Sequence, residues 1–252
     1  FLFTMRNPEN LIWISSAPGA HGKFLQSIIF WLANDIVPKQ RFFTNINYHQ
    51  QGADVQSYTN IGDRGTVNLQ NLLGIRFNDD NSCKTMTFAG GMEHPTERFE
   101  SKFIDQFRRF KWITVTMEEV DWLSIDLNHY LKLDRNLYTQ FLPPLTGLNF
   151  QNPTVAVDII KRCYEIPGFL DRKKVFSQEN YVKNIVKLEK YKDTFDYLEY
   201  RDILLRPEYV MSKICEWTEK PINDFIKITY YEYLEAQKRF LKKVNPGHFL
   251  VA

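Results

Sequence analysis

Residues Leu11-Ile12-Trp13-Ile14-Ser15-Ser16-Ala17-Pro18-Gly19-Ala20-His21-Gly22-Lys23-Phe24-Leu25 decide the fold. Leu11 to Ile14 have the character of a buried strand and run into a turn of small residues. That turn leads straight into an apolar helix, Phe24-Leu25-Gln26-Ser27-Ile28-Ile29-Phe30-Trp31-Leu32. A strand that turns through glycines into a helix start aims backbone N–H groups at one point, with the positive end of the helix dipole behind them. Such a place suits a phosphate or a sulfate. Ser15, Ser16 and Lys23 add donors that a plain connection would not need, whereas Gly19 and Gly22 by themselves could serve backbone geometry alone. The turn is not a Walker A loop. Ala17 stands at its first glycine, and Phe24 stands where a Mg²⁺-binding Ser or Thr belongs.

Further strand–helix units follow in the chain. A second short strand is expected at Lys84 to Phe88, stopping at Ala89-Gly90-Gly91, with Met92-Glu93-His94-Pro95 as the loop beyond it. Phe99, Phe103, Ile104 and Phe107 lie at helical spacing in an amphipathic helix over 96–109. The third strand is Trp112-Ile113-Thr114-Val115-Thr116. Thr116-Met117-Glu118-Glu119 reads as a capping box, which starts a helix running toward Leu131. Helices are expected over Thr154 to Tyr164 and Glu179 to Lys190, and a fourth strand over Phe195 to Tyr200. Pro207 opens a helix through Trp217, and Asn223 caps a last helix through Phe240. Residues 39–82 are polar and mostly loop, with one helix at Asn68 to Leu73. Recurring units of this kind imply an α/β fold, a three-layer sandwich with a mainly parallel central sheet. Ligands bind such sheets beyond the C-terminal strand ends. That directs attention to Ser15–Lys23, Gly90–His94 and Thr116–Ser124.

The chain of 252 residues is long enough for one large domain, and no linker divides it, so 1–252 is read as a single unit. Apolar residues at 44% and aromatics at 15% exclude disorder, and a net charge of +2 gives no electrostatic case for nucleic acid. Cys83, Cys163 and Cys215 are odd in number and lack metal or redox spacing, as expected of reduced cysteines in a cytoplasmic protein. No apolar run reaches the length of a membrane span, and no signal core is visible. The opening Phe1-Leu2-Phe3-Thr4-Met5 leaves two readings, a chain that has lost a few residues or Met5 as the native start.

The order of elements resembles the sulfotransferase family, a P-loop-type α/β architecture. In that family a turn like Pro-Lys-Ser-Gly-Thr-Thr-Trp-Leu cradles the 5′-phosphosulfate of the donor, 3′-phosphoadenosine-5′-phosphosulfate. Pro18-Gly19-Ala20-His21-Gly22-Lys23-Phe24-Leu25 keeps the proline, the aromatic position and the leucine. It has Gly19 at the family lysine and Gly22-Lys23 at the paired threonines. The family's Tyr-Glu-Asp-Leu strand end, Pro-Glu helix start and Lys-Ile-Cys run are similar to Tyr200-Arg201-Asp202-Ile203-Leu204, Pro207-Glu208 and Lys213-Ile214-Cys215-Glu216-Trp217. The resemblance implies that Ser16, Pro18, Gly19, Ala20, His21, Gly22, Lys23 and Phe24 hold the phosphosulfate. It further implies that Lys23 stabilises the leaving oxygen, that His94 is the base, and that Ser124 meets the 3′-phosphate. No metal is implied. Thr116 stands where the family has an arginine for that 3′-phosphate, and the family's C-terminal Arg-Lys-Gly motif has only Lys242-Lys243 and Gly247 near it.

The resemblance thus implies transfer of a sulfuryl group to a hydroxyl of a carbohydrate or small molecule. Two rivals stand beside it. One is a non-catalytic binding protein of the same fold, favoured by Thr116. The other is an enzyme using a different nucleotide or phosphate donor at the same turn. Asp126 and His129 lie three apart on one helix and are read as a stabilising pair. Tyr230-Tyr231-Glu232-Tyr233 is read as helix packing.

Overall fold

The computed structural model describes residues 10–35, 37, 85–90, 107–132, 136–139, 152–186, 193–244 and 247–250. Among them, β1 (Asn10–Ser15), β2 (Thr85–Gly90), β3 (Arg109–Thr116) and β4 (Phe195–Glu199) form one parallel sheet in the order β2-β1-β3-β4. Ile14 registers with Ala89 on one side and Ile113 on the other, and Val115 registers with Leu198. The described helices begin with α1 (Gly22–Ala33), α2 (Trp122–Lys132), α3 (Asn136–Thr139) and α4 (Pro153–Tyr164). They continue with α5 (Asp171–Lys174), α6 (Gln178–Ile185), α7 (Tyr200–Leu205), α8 (Pro207–Thr218) and α9 (Asp224–Val244).

The unbroken apolar run of β1 has a simple cause. The strand is central and covered on both faces, so both of its side-chain sets are buried. Ile12 and Ile14 join Ile113, Val115 and Leu198 in one core with Leu25 and Ile28 of α1, Ile214 of α8 and Tyr230 of α9. On the opposite face Trp13 stacks on Trp112 with centroids 5.2 Å apart, and Phe195 meets Trp112 at 6.4 Å. That face is covered in part by α6, where Tyr181 packs on Tyr197 and Gln178 Nε2 donates to the Tyr197 hydroxyl at 2.9 Å. Helices on both faces of a parallel sheet make the three-layer α/β arrangement that the sequence implies.

Local signals set four of the described helix starts. Asn152 accepts from the Thr154 N–H at 2.9 Å ahead of Pro153, Ser177 accepts from Asn180, and Asn223 accepts from Ile226. Pro207 opens α8 as expected. Three expectations need correction. Thr116 caps no helix: it still pairs with Glu199 in the sheet and its hydroxyl donates to the Leu198 carbonyl at 3.4 Å. Helix α2 therefore starts only after a 3₁₀ turn, Glu119–Asp121. Arg109 belongs to β3, not to a preceding helix, because it pairs with Asn10. Tyr200 begins α7 instead of ending β4. The expected helix over 68–73, residues 96–106 of the one expected over 96–109, the loop of His94, and Cys83 lie outside the described residues, and residues 107 and 108 form a bend and not a helix. No helix among the described residues is long and apolar enough to cross a membrane.

Candidate anion-binding turn

Strand β1 has β2 on one side and β3 on the other, so the chain reverses its direction of travel across the sheet at this strand. In open parallel sheets the crevice at such a switch point, outside the C-terminal strand ends, is where ligands bind. The turn 16–21 occupies it. The Ala20 N–H closes the turn onto the Ala17 carbonyl at 3.0 Å, and the first helical bond runs from the Leu25 N–H to the His21 carbonyl at 3.1 Å. The N–H groups of the first turn of α1 have no intrahelical acceptor. The His21 side chain does not cap them and no acidic residue lies in that turn. The helix start is left electropositive.

Two glycines make this geometry possible. Gly19 has φ +91°, and a Cβ there would lie 2.4 Å from the Ile125 carbonyl of α2. Its own carbonyl accepts from Asn128 Nδ2 at 2.8 Å, so α2 clamps the turn from one side. Gly22 lies under Ser16, where a Cβ would come within 2.0 Å of the serine Oγ. The Gly19→Ala variant combines a forbidden φ with a backbone collision, so it should destabilise the protein by about 2–4 kcal/mol. Urea titration checks this, with a drop in midpoint at unchanged slope as the expected result.

Lys23 is the charged group of the turn. Its Nζ is 3.4 Å from the Ala89 carbonyl at the end of β2, and among the described residues no carboxylate lies within ion-pair reach. Burial pushes its pKa down from 10.5 to about 8. A desolvated ammonium with no counter-charge among the described residues, beside a helix N-terminus that its N-cap residue leaves uncapped, favours an incoming anion on both counts.

The other expected site residues take varied places. Ser16, Ala20, His21 and Gly22 are buried, while Pro18 is exposed. The Ser15 hydroxyl oxygen accepts from Trp112 Nε1 at 3.0 Å. His21 holds the N-cap position with φ 65°, and its ring stacks on Tyr200 at 5.4 Å. Its Nδ1 is 2.5 Å from the Tyr233 hydroxyl. Phe24 lies flat on Tyr233 at 3.6 Å and edge-on to Tyr230 at 5.0 Å, which makes it a core residue. Ser124 is half-buried on the first turn of α2, immediately before the residue whose carbonyl meets Gly19. His94 lies outside the described residues.

Sequence reasoning missed what holds α2 in place. Asp126 is buried, and its Oδ1 accepts from the Tyr138 hydroxyl at 2.8 Å and from Lys173 Nζ at 2.5 Å. Its Oδ2 accepts from the Tyr164 hydroxyl at 2.5 Å. His129 Nδ1 lies 3.1 Å from the same Tyr138 hydroxyl, so Asp126 and His129 are joined through Tyr138. Burial, followed by the charge of Asp126, holds both tyrosine pKa values well above 10 and lifts the Cys163 thiol to about 11. No local spacing could have linked these residues, because they come from α2, α3, α4 and α5.

A cavity of about 350 Å³ lies at the opposite end of the sheet, lined by Asn10, Thr85, Arg109, Trp217 and Lys220 among others. Its charges are paired internally, Arg109 with Glu219 and Lys220 with Asp35, so the turn remains the better candidate for chemistry. Among the described residues no group of three or more His, Cys, Asp or Glu side chains is placed to hold a metal ion.

No protein-family model and no curated protein matches this sequence. Among solved structures, the chain is similar to the crystal structure of retinol dehydratase in complex with androsterone and inactive cofactor PAP. That likeness has a TM-score of 0.42 and 11% identity, over 95% of this chain and 67% of that one.

Proposed function

We propose that this chain is a sulfotransferase-like enzyme that moves a sulfuryl group from 3′-phosphoadenosine-5′-phosphosulfate to a hydroxyl of a carbohydrate or small molecule. The observation that carries this reading is Lys23, an ammonium with a pKa of about 8 and no carboxylate partner among the described residues, at a start of α1 that the His21 side chain does not cap. In the proposed reaction the acceptor oxygen forms a bond to sulfur as the bond from sulfur to the donor's phosphate oxygen breaks. That oxygen keeps the electron pair, and Lys23 with the first-turn N–H groups stabilises its charge. The acceptor's proton passes to a base, for which the family resemblance offers His94. Ser16, Gly22 and Lys23 face the phosphosulfate in this reading, and Ser124 the 3′-phosphate.

The residues present fit the phosphosulfate end of the donor better than the other end. Thr116, at the position of the family arginine, is buried and its hydroxyl is engaged with Leu198. That observation favours a second reading, a non-catalytic protein that keeps the fold and a weakened anion site.

Calorimetry with 3′-phosphoadenosine-5′-phosphate separates the two. At about pH 9 a lysine with a pKa of about 8 is mostly neutral, and an anion beside it raises that value. Binding should therefore take up close to one proton at about pH 9 and almost none at about pH 6.5, where the amine is already charged. Heats compared in two buffers of different ionisation enthalpy read this directly. Absence of binding supports the non-catalytic reading, and binding without proton uptake removes Lys23 from the site.

A further inference from the structure

Ala17-Pro18-Gly19-Ala20 closes on itself through the Ala20 N–H and the Ala17 carbonyl. Proline stands second and a glycine at φ +91° third, which is the signature of a type II turn. Such a turn fixes its own four residues and leaves open how they sit against the rest of the fold. His21 follows at φ 65°, a left-handed backbone that a residue with a Cβ adopts at a cost. A strained residue of this kind keeps its conformation only where the surroundings over-determine it.

Two buried side chains from distant elements supply that constraint. From α2, Asn128 Nδ2 donates to the Gly19 carbonyl at 2.8 Å. From α9, the Tyr233 hydroxyl lies 2.5 Å from His21 Nδ1, and the tyrosine ring lies on Phe24 with centroids 3.6 Å apart. Gly19 and His21 precede the Gly22 and Lys23 N–H groups in the chain and Phe24 follows them, so the contacts bracket two donors that have no intrahelical acceptor. Stability alone does not call for an asparagine at position 128. Its Oδ1 is buried and meets no donor, a cost that an apolar residue of the same size would not carry. What the amide adds is one donor on the turn.

We propose that Asn128 and Tyr233 are positioning residues, which together aim the Gly22 and Lys23 N–H groups at the anion held by the turn. This rests on the reading of the turn as an anion site. Each residue acts through the backbone it holds. A backbone cradle works through several N–H groups at once, so a small rotation of the turn weakens them together. The Lys23 ammonium sits on a flexible stem and follows the anion. Loss of either clamp therefore separates the backbone donors from the lysine.

The test titrates inorganic sulfate into the full chain. Backbone amide NMR at about pH 6.5 follows Gly22 and Lys23, and calorimetry in two buffers at about pH 9 follows affinity and the proton taken up by Lys23. The wild type should show saturable shifts of both amides together with proton uptake. Tyr233→Phe keeps the ring on Phe24 and removes only the hydroxyl. Asn128→Leu leaves the Gly19 carbonyl without its donor but also removes the unmatched Oδ1, so the melting temperature should move little. In each variant sulfate affinity should fall about tenfold or more, with smaller amide shifts at saturation and the same proton uptake per bound sulfate. Affinity unchanged in either variant overturns the paired clamp and leaves the anion reading standing. A loss of affinity that only tracks a lower melting temperature, with amide shifts at saturation unchanged, marks a structural role and overturns it as well. A wild type that binds no sulfate overturns both the clamp and the reading of the turn.

Discussion

Replacing Asp126 with alanine should lower stability by about 3–5 kcal/mol, the largest change expected from any substitution considered in this chain. The carboxylate accepts from Tyr138, Tyr164 and Lys173, and both partners of the ion pair are almost fully buried. Its removal leaves an ammonium and two hydroxyls without their acceptor in a low-dielectric interior. The loss falls on α2, and through the Asn128–Gly19 bond on the turn. Urea denaturation should show a lower midpoint, and anion binding at the turn should weaken in parallel. Asp126→Leu combined with Lys173→Met leaves no buried charge and should recover much of the stability. If the single Asp126→Ala variant unfolds at the wild-type midpoint, the network contributes nothing to the fold.

Lys23→Met should act in opposite directions on binding and on stability. Affinity for 3′-phosphoadenosine-5′-phosphate should fall about 100-fold or more, since the variant loses a charge-assisted contact in a desolvated site. Stability at neutral pH should rise. The folded-state pKa of about 8 lies below the ordinary 10.5, so the unfolded chain binds more protons between those values. Wild-type stability therefore climbs as pH rises from about 8 to about 10.5, and the full penalty is felt below that window. A gap of that size corresponds to at most ~3 kcal/mol, and partial solvent contact reduces it to ~1–2 kcal/mol. The melting temperature of Lys23→Met at pH 7 should rise by about 2–6 °C, and the climb above pH 8 should vanish. A variant that loses stability at pH 7 instead would show that the lysine stem contributes packing that outweighs the charge.

The sequence by itself determined the elements whose signals are local. The apolar run Leu11–Ile14, the glycine turn and the apolar helix after it specify β1, the turn and α1, because strand burial, φ freedom and helical periodicity each act within a few residues. Asn223 and Pro207 mark their helix starts for the same reason, through bonds and dihedral limits that reach no further than one turn. Tyr230 and Tyr233 of α9 read correctly as packing, since the Tyr230 hydroxyl donates to the Ile203 carbonyl and Tyr233 lies on Phe24, whereas Tyr231 is exposed with its hydroxyl on Glu208. Lys23 was legible as a candidate because a lysine at a helix start is a local feature.

Tertiary structure decided everything that joins distant segments. Whether Thr116 caps a helix or stays in the sheet depends on β4 lying beside it, 82 residues away in sequence. Asp126 meets Tyr138, Tyr164 and Lys173 at separations of 12, 38 and 47 residues, so no periodicity could announce the network. Asn128 looks like any helical asparagine until α2 is laid against Gly19, a contact 109 residues long in sequence. Burial sets the pKa of Lys23, and it is a property of the packed molecule and not of the residue. The chain's local chemistry chose where an anion could be held. Long-range packing decided how firmly the turn is fixed and how strongly its amine is charged.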